Sequence, residues 1–225
     1  MANNTVLGGN SAGRWQSLRP LGAVLLFSLA ACAGGSAPAL PRNALPVPIV
    51  RQSSSYSCGS AALLAVLFYW QVYDGNESGL AQLTGTTPAA GTTPQGIIRG
   101  AQKFGLSASY RENVTAADLA AALARGETVI VDIQAWPDKP GELPWAKRRE
   151  DGHYLVLTAL DAKYAYFMDP SVGSGYTYIP LPELFERWHD YEELETGVWN
   201  NKQLAIFISG KTPLKKYPAA LTPTL

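Results

Sequence analysis

The chain contains only two cysteines, Cys32 and Cys58, and two histidines, His153 and His189, so cysteine–histidine chemistry can be assembled in few ways. A thiol is a useful nucleophile only as thiolate. A helix N-terminus favours that form through its positive dipole end and unpaired backbone N–H groups. Cys58 stands where a helix should begin: Ser57 is a candidate N-cap, Cys58 takes the first helical position, and Gly59 lets backbone approach closely and a substrate pass. A thiolate also needs a base within hydrogen-bond reach, and the base needs an orienting group. His153 follows Gly152 at the start of a strongly β-forming run, and Asp169 closes the next such run. Pairing the two runs as a hairpin sets imidazole beside carboxylate. Gln52, six residues before Cys58, can add an amide donor to the Cys58 backbone N–H and complete an oxyanion hole. His189, between Trp188 and Asp190, reads instead as a solvated helix-end residue.

Those side chains need elements to hold them. The segment Ser57–Trp70 is apolar on nearly every face after its first turn, the pattern of a buried central helix. Leu80–Leu83 hints at a short helix. Pro94 opens another that closes at Gly105, and Thr115–Arg125 forms an amphipathic one ending at Gly126. Strands are expected at Leu106–Arg111, Thr128–Ile133, His153–Leu160, Tyr164–Met168, Tyr176–Ile179 and Leu204–Ile208, with Asp161-Ala162-Lys163 as a hairpin turn and Leu181–Trp188 as a short helix. Helices first and mostly antiparallel strands second predict a segregated α+β domain, its first helix buried against the sheet. Trp136–Asp151, with three prolines, two tryptophans and Lys147-Arg148-Arg149, reads either as a solvated loop or as one wall of the substrate cleft, with Trp136 and Trp145 flanking it.

Three motifs in order carry a family resemblance. Gln52-Ser-Ser-Ser-Tyr-Ser-Cys58-Gly59 resembles the Gln-x5-Cys-Gly signature of papain-like cysteine peptidases. Gly152-His153-Tyr154-Leu155-Val156-Leu157 resembles the Gly-His-Tyr-Val-Val-Leu strand of the C39 family of double-glycine leader peptidases, and Asp169-Pro170-Ser171 its Asp-Pro-x turn. The likeness covers about residues 48–190, and its form is that of the stand-alone C39-like lipoproteins. Ser57 departs from it, since the family often has Asp before the cysteine. The resemblance implies a papain-like fold and a cysteine peptidase in which Cys58, His153, Asp169 and Gln52 are catalytic. It also implies a peptide or protein substrate, such as a secreted polypeptide with a Gly-Gly leader, and calls for no cofactor and no metal. A papain-like amidase acting on cell-wall peptides and a non-catalytic leader-peptide-binding module stand as alternatives.

The N-terminus reads as an address. Leu21–Gly35 is an uncharged apolar run, shorter than the roughly 20 residues a membrane-crossing helix needs but suited to the core of an export signal. It contains Leu29-Ala30-Ala31-Cys32, which resembles a bacterial lipobox. The expected order is therefore a signal peptide over 1–31, a lipidated Cys32 with a Pro/Ala-rich tether to 47, and a peptidase domain over 48–225. Ala33 follows the cysteine where a retention-type Asp is absent, which favours the outer membrane of a Gram-negative host, facing the periplasm. With Cys32 committed to lipid, Cys58 has no disulfide partner. Eighteen basic and eighteen acidic groups cancel and form no basic stripe, which argues against a nucleic-acid partner. A hydrophobic content of 47% is enough for a sizeable core.

Overall fold

Helix α1 (Cys58–Tyr69) buries every residue but Phe68, as a helix apolar all round must. It is the centre of the fold in a computed structural model that describes residues 37–136, 143–194 and 197–217. Each fully buried Leu or Val in it contributes roughly 1.5–3 kcal/mol. Helices α2 (Glu77–Thr84) and α3 (Pro94–Lys103) pack beside it, each started by a side chain that accepts a backbone N–H, Asn76 and Thr93 respectively. The expected short helix at Leu80–Leu83 is thus longer, because the Asn76 cap starts it earlier.

A sheet of six antiparallel strands runs in the order β1 (Ser107–Arg111), β8 (Ala205–Ser209), β2 (Thr128–Gln134), β3 (Gly152–Leu160), β4 (Tyr164–Met168) and β5 (Tyr176–Pro180). Side-chain alternation splits its core in two. Ile130, Tyr154, Val156 and Met168 join α1 and α3 on one face. Val131, Ile133, Leu155 and Phe167 join α4 (Ala116–Ala124) and α5 (Leu181–Arg187) on the other. The α+β architecture with a buried first helix is therefore as expected. The turn at Asp161 is also as read, its carboxylate accepting from the Lys163 and Tyr164 N–H groups.

Three details differ from the sequence reading. A second, two-stranded sheet, β6 (His189–Leu194) with β7 (Gly197–Lys202), occupies a stretch for which no strand was expected. His189 opens β6 half-buried, its Nε2 at 2.9 Å from the Arg148 carbonyl, so it is not a solvated helix end. The last part of the expected tether is docked. The Leu45 N–H donates to Thr158 O, Tyr176 Oη donates to the Val47 carbonyl at 2.7 Å, and Val47 is fully buried. Cys32 and the apolar run before it lie outside the described residues.

Candidate active site

Cys58 is the first residue of α1, so its own N–H has no acceptor within the helix. Ser57 holds the N-cap position without capping; its hydroxyl instead serves the preceding turn, donating to Ser54 O and accepting from Ser54 N. The Cys58 thiol is free and buried, and the backbone N–H groups of Gly59 and Tyr154 both favour its ionised form. Gly59 is required here by packing. A Cβ at this position would sit 2.6 Å from the Thr92 Cβ and 3.0 Å from the Tyr154 ring. The space that the sequence reading left for a passing substrate is filled by Thr92 and Tyr154.

Strands β3 and β4 bring the other two groups in. Val156 pairs with Met168, which puts Asp169 two positions diagonally across from His153. His153 Nε2 lies 2.8 Å from Asp169 Oδ1, and both residues are 2% exposed or less. The same oxygen accepts from the Ser171 N–H and hydroxyl at 2.8 and 2.7 Å, so the carboxylate is fixed before it fixes the ring. The other ring nitrogen, Nδ1, is buried and makes no hydrogen bond among the described residues, and Cys58 is the group besides Asp169 that acts on the charge of the ring. Trp136, at φ 53°, sets its indole 5.2 Å from the imidazole, centre to centre.

These neighbours decide the charges. Burial pushes the Cys58 thiol up, but His153, with the two backbone N–H groups, brings it below its ordinary value. Burial would lower His153, yet Asp169 and Cys58 raise it to about 10. Burial likewise raises Asp169, and His153 and Ser171 more than offset it, so that it stays ionised. Each neighbour thus favours the charged form of the next, a thiolate beside an imidazolium backed by a carboxylate. Such a pair can attack a carbonyl carbon and hand a proton to the leaving group.

Gln52 is tied to the same place by its backbone, whose N–H donates to Pro170 O, next to Asp169. One hydrogen of its Nε2 goes to Ser54 O at 2.7 Å, while Oε1 is buried and unpartnered. The four residues singled out from the sequence thus gather where α1, β3 and the turn after β4 meet. Trp145 does not act as the expected free cleft wall. Its ring is sandwiched between the Arg148 and Arg187 guanidinium groups, 4.0 and 4.2 Å from its centre, so both faces are taken. Trp136 keeps a place at the site against His153, and residues 137–142 between them lie outside the described residues.

Comparison with known proteins bears on this arrangement. Residues 44–200 match the Peptidase_C39 like family. An uncharacterized protein of Methanothermobacter marburgensis is 33% identical over 125 residues, which is 56% of this chain and 72% of that protein. Among solved structures, the peptidase domain of Streptococcus ComA, described as a bifunctional ABC transporter of a quorum-sensing pathway, superposes with a TM-score of 0.52 and 22% identity, covering 73% of this chain and 99% of the domain. A putative C39-like peptidase from Bacillus anthracis superposes with a TM-score of 0.52 and 16% identity, covering 74% of this chain and 96% of that one. At these identities the structural likeness speaks for the fold.

Proposed function

This chain belongs to the Peptidase_C39 like family, and we propose that it is a cysteine endopeptidase working through a Cys58 acyl-enzyme. The observation that carries this reading is the buried chain of contacts from Cys58 through His153 to Asp169 at the start of α1. In it the Cys58 thiolate attacks the scissile carbonyl carbon, and the new oxyanion is held by the Cys58 N–H and the Gln52 amide. Collapse breaks the C–N bond while the His153 imidazolium protonates the departing amine. The neutral imidazole then takes a proton from water, whose oxygen attacks the thioester and releases the acid. Asp169 keeps Nε2–H pointed at itself, so that Nδ1 always serves the sulfur.

The substrate we propose is a secreted polypeptide cut after small residues, Gly-Gly or Gly-Ala. Supporting this is the crowding of Thr92 and Tyr154 against Gly59 beside the nucleophile. Crowding of that kind excludes bulky side chains by steric clash, and affinity must come from more distant contacts. Profiling against a peptide library should give cleavage dominated by small residues on the acyl side. Cleavage dominated by large ones would discard the double-glycine assignment, and a Cys58 that no peptide ever acylates would favour a binding module instead.

We further propose that Cys32 carries lipid and holds the protein in the envelope, at the outer membrane. The support is Leu29-Ala30-Ala31-Cys32 in an uncharged apolar run. Several acyl chains on one residue, at roughly 0.8 kcal/mol per buried CH₂, make a lasting anchor. Expressed in a Gram-negative host, the protein should partition into detergent and Cys32→Ser should not; equal partitioning of the two would end the idea.

A further inference from the structure

Strand β2 carries Asp132 and Gln134 on its α1-facing side, in line with Ile130, and both are buried. Most of their side-chain bonds go to the β6–β7 hairpin, while Gln134 Oε1 also accepts from the Asp151 N–H at 3.3 Å. Gln134 Nε2 donates to the Asp190 carboxylate at 2.9 Å and to the His189 carbonyl at 3.2 Å. Asp132 Oδ2 accepts from Asn201 Nδ2 at 3.2 Å. Asn201, the cross-strand partner of Asp190, accepts in turn from the Asp190 N–H at 3.1 Å. The hairpin so held is one wall of a cavity of about 470 Å³ beside Gly152, with Asp190, Tyr191 and Glu192 on it and Thr93 opposite. Two lining residues are chain neighbours of the thiol site: Gly152 precedes His153, and Thr93 follows the Thr92 that packs on Gly59.

Asp132 presents a puzzle that geometry resolves. Its side chain is 2% exposed, and Oδ1 receives no hydrogen bond from any N–H or hydroxyl among the described residues. An ionised carboxylate in that position would leave a buried charge unanswered, at a cost of several kcal/mol. Asp190 is joined to it through Asn201, whose side chain bonds both residues, and two carboxyl groups can bond only when one of them keeps its hydrogen.

We propose that Asp132 is a positioning residue: a buried carboxylic acid, un-ionised at neutral pH, that donates its proton to Asp190 and so pins the β6–β7 hairpin as the wall of the substrate cleft. The charged and titratable groups around it agree. From α1 comes Cys58, from β3 Tyr154, and from β6 Asp190 and Glu192. Burial, and then the negative charges of Asp190 and Cys58, hold the Asp132 carboxyl well above the ordinary carboxylate range. Burial raises Asp190 as well, but less than Asp132, because the Tyr191 N–H and Gln134 oppose it, so Asp190 is the partner that accepts. Keeping Asp132 neutral also spares the thiolate a nearby negative charge.

The cleft role rests on the peptidase reading, whereas the state of Asp132 does not, and the test separates them. The full chain with Cys32→Ser has Cys58 as its only thiol. The infrared difference spectrum of the parent minus Asp132→Asn at pH 7 should show the carbonyl stretch of an un-ionised carboxylic acid. The amide of that variant donates to Asp190 and accepts from Asn201 as the acid does. Its pH profile of Cys58 alkylation by iodoacetamide should therefore overlay the parent's, and its KM for the best library peptide should stay within about twofold. Asp132→Ala, which lacks both bonds, should leave the alkylation profile in place and raise KM about tenfold, the worth of one net hydrogen bond. A missing acid band would overturn the proposal. So would an Asp132→Asn profile moved by about a whole pH unit, the mark of a lost charge, or an unchanged KM in Asp132→Ala. If no peptide is turned over at all, the peptidase reading fails while the infrared and alkylation results still judge Asp132.

Discussion

Cys58→Ala is expected to yield a folded protein with no peptidase activity above background, a fall on the order of 10⁶ in kcat where the parent turns over freely. The size follows from the role: without the sulfur there is no acyl-enzyme, and water held in the groove is a poor substitute. The fold should survive because little is removed. A methyl replaces a CH₂SH group at a site 9% exposed, and His153 keeps Asp169 at 2.8 Å, so no charge is left without a partner. A stability loss of about 1 kcal/mol is expected, ordinary for a single substitution. Three measurements on a Cys32→Ser background check this: peptide turnover, labelling by iodoacetamide, and the midpoint of thermal unfolding. Turnover within tenfold of the parent, in a variant that takes no label, would remove Cys58 from the mechanism.

Much of the scaffold behind that prediction was legible because local pattern and tertiary need agree. Helix α1 shows in the sequence because all its faces are buried, leaving no polar stripe to confuse the reading. The β3–β4 hairpin shows because its strands are buried on both sides and its turn is made by one Asp carboxylate. Cys58, His153 and Asp169 were found from spacing, since each sits at an element boundary that the sequence marks.

What stayed hidden depends on partners distant in the chain. The β6–β7 hairpin has charged, half-exposed strands, and its attachment is made by Asp132 and Gln134, more than fifty residues earlier. The available signal was those two polar residues in a strand of mostly apolar type. Trp145 was misplaced for the same reason, since Arg187, 42 positions away, covers one of its faces. Gly59 was read as room for a substrate because sequence gives a glycine's freedom and not the Thr92 and Tyr154 that occupy the space. The Gln52 amide bonds its own loop at Ser54, a choice of rotamer that no spacing rule contains.

His153→Ala is the second large effect expected, and its signature is a change in the shape of the pH profile. In the parent, the active form needs thiolate and imidazolium together. Activity should fall on the acid side as Cys58 takes up a proton, at a pH below the ordinary thiol range, and on the alkaline side as His153 loses its proton near pH 10. Between them lies the plateau on which both groups are charged. Without the imidazole, the influence that remains largest on Cys58 is burial, which raises it, and only the Gly59 and Tyr154 N–H groups oppose that. The thiol should then titrate at or above its ordinary value, and the alkylation profile should move to the alkaline side with no descending limb. Turnover at pH 7 loses both the thiolate and the proton carrier. General acid–base transfer alone is worth about 10²–10⁴, so a combined loss toward the upper end or beyond is expected. Asp169→Ala should cost less, because Nδ1 can still reach the sulfur in part of the population once the ring is no longer held. The comparison that decides the assignment is with His189, whose Nε2 is engaged with the Arg148 carbonyl. His189→Ala should leave the alkylation profile unmoved, and the opposite pattern, a shifted profile for His189→Ala and none for His153→Ala, would give the base to the wrong histidine.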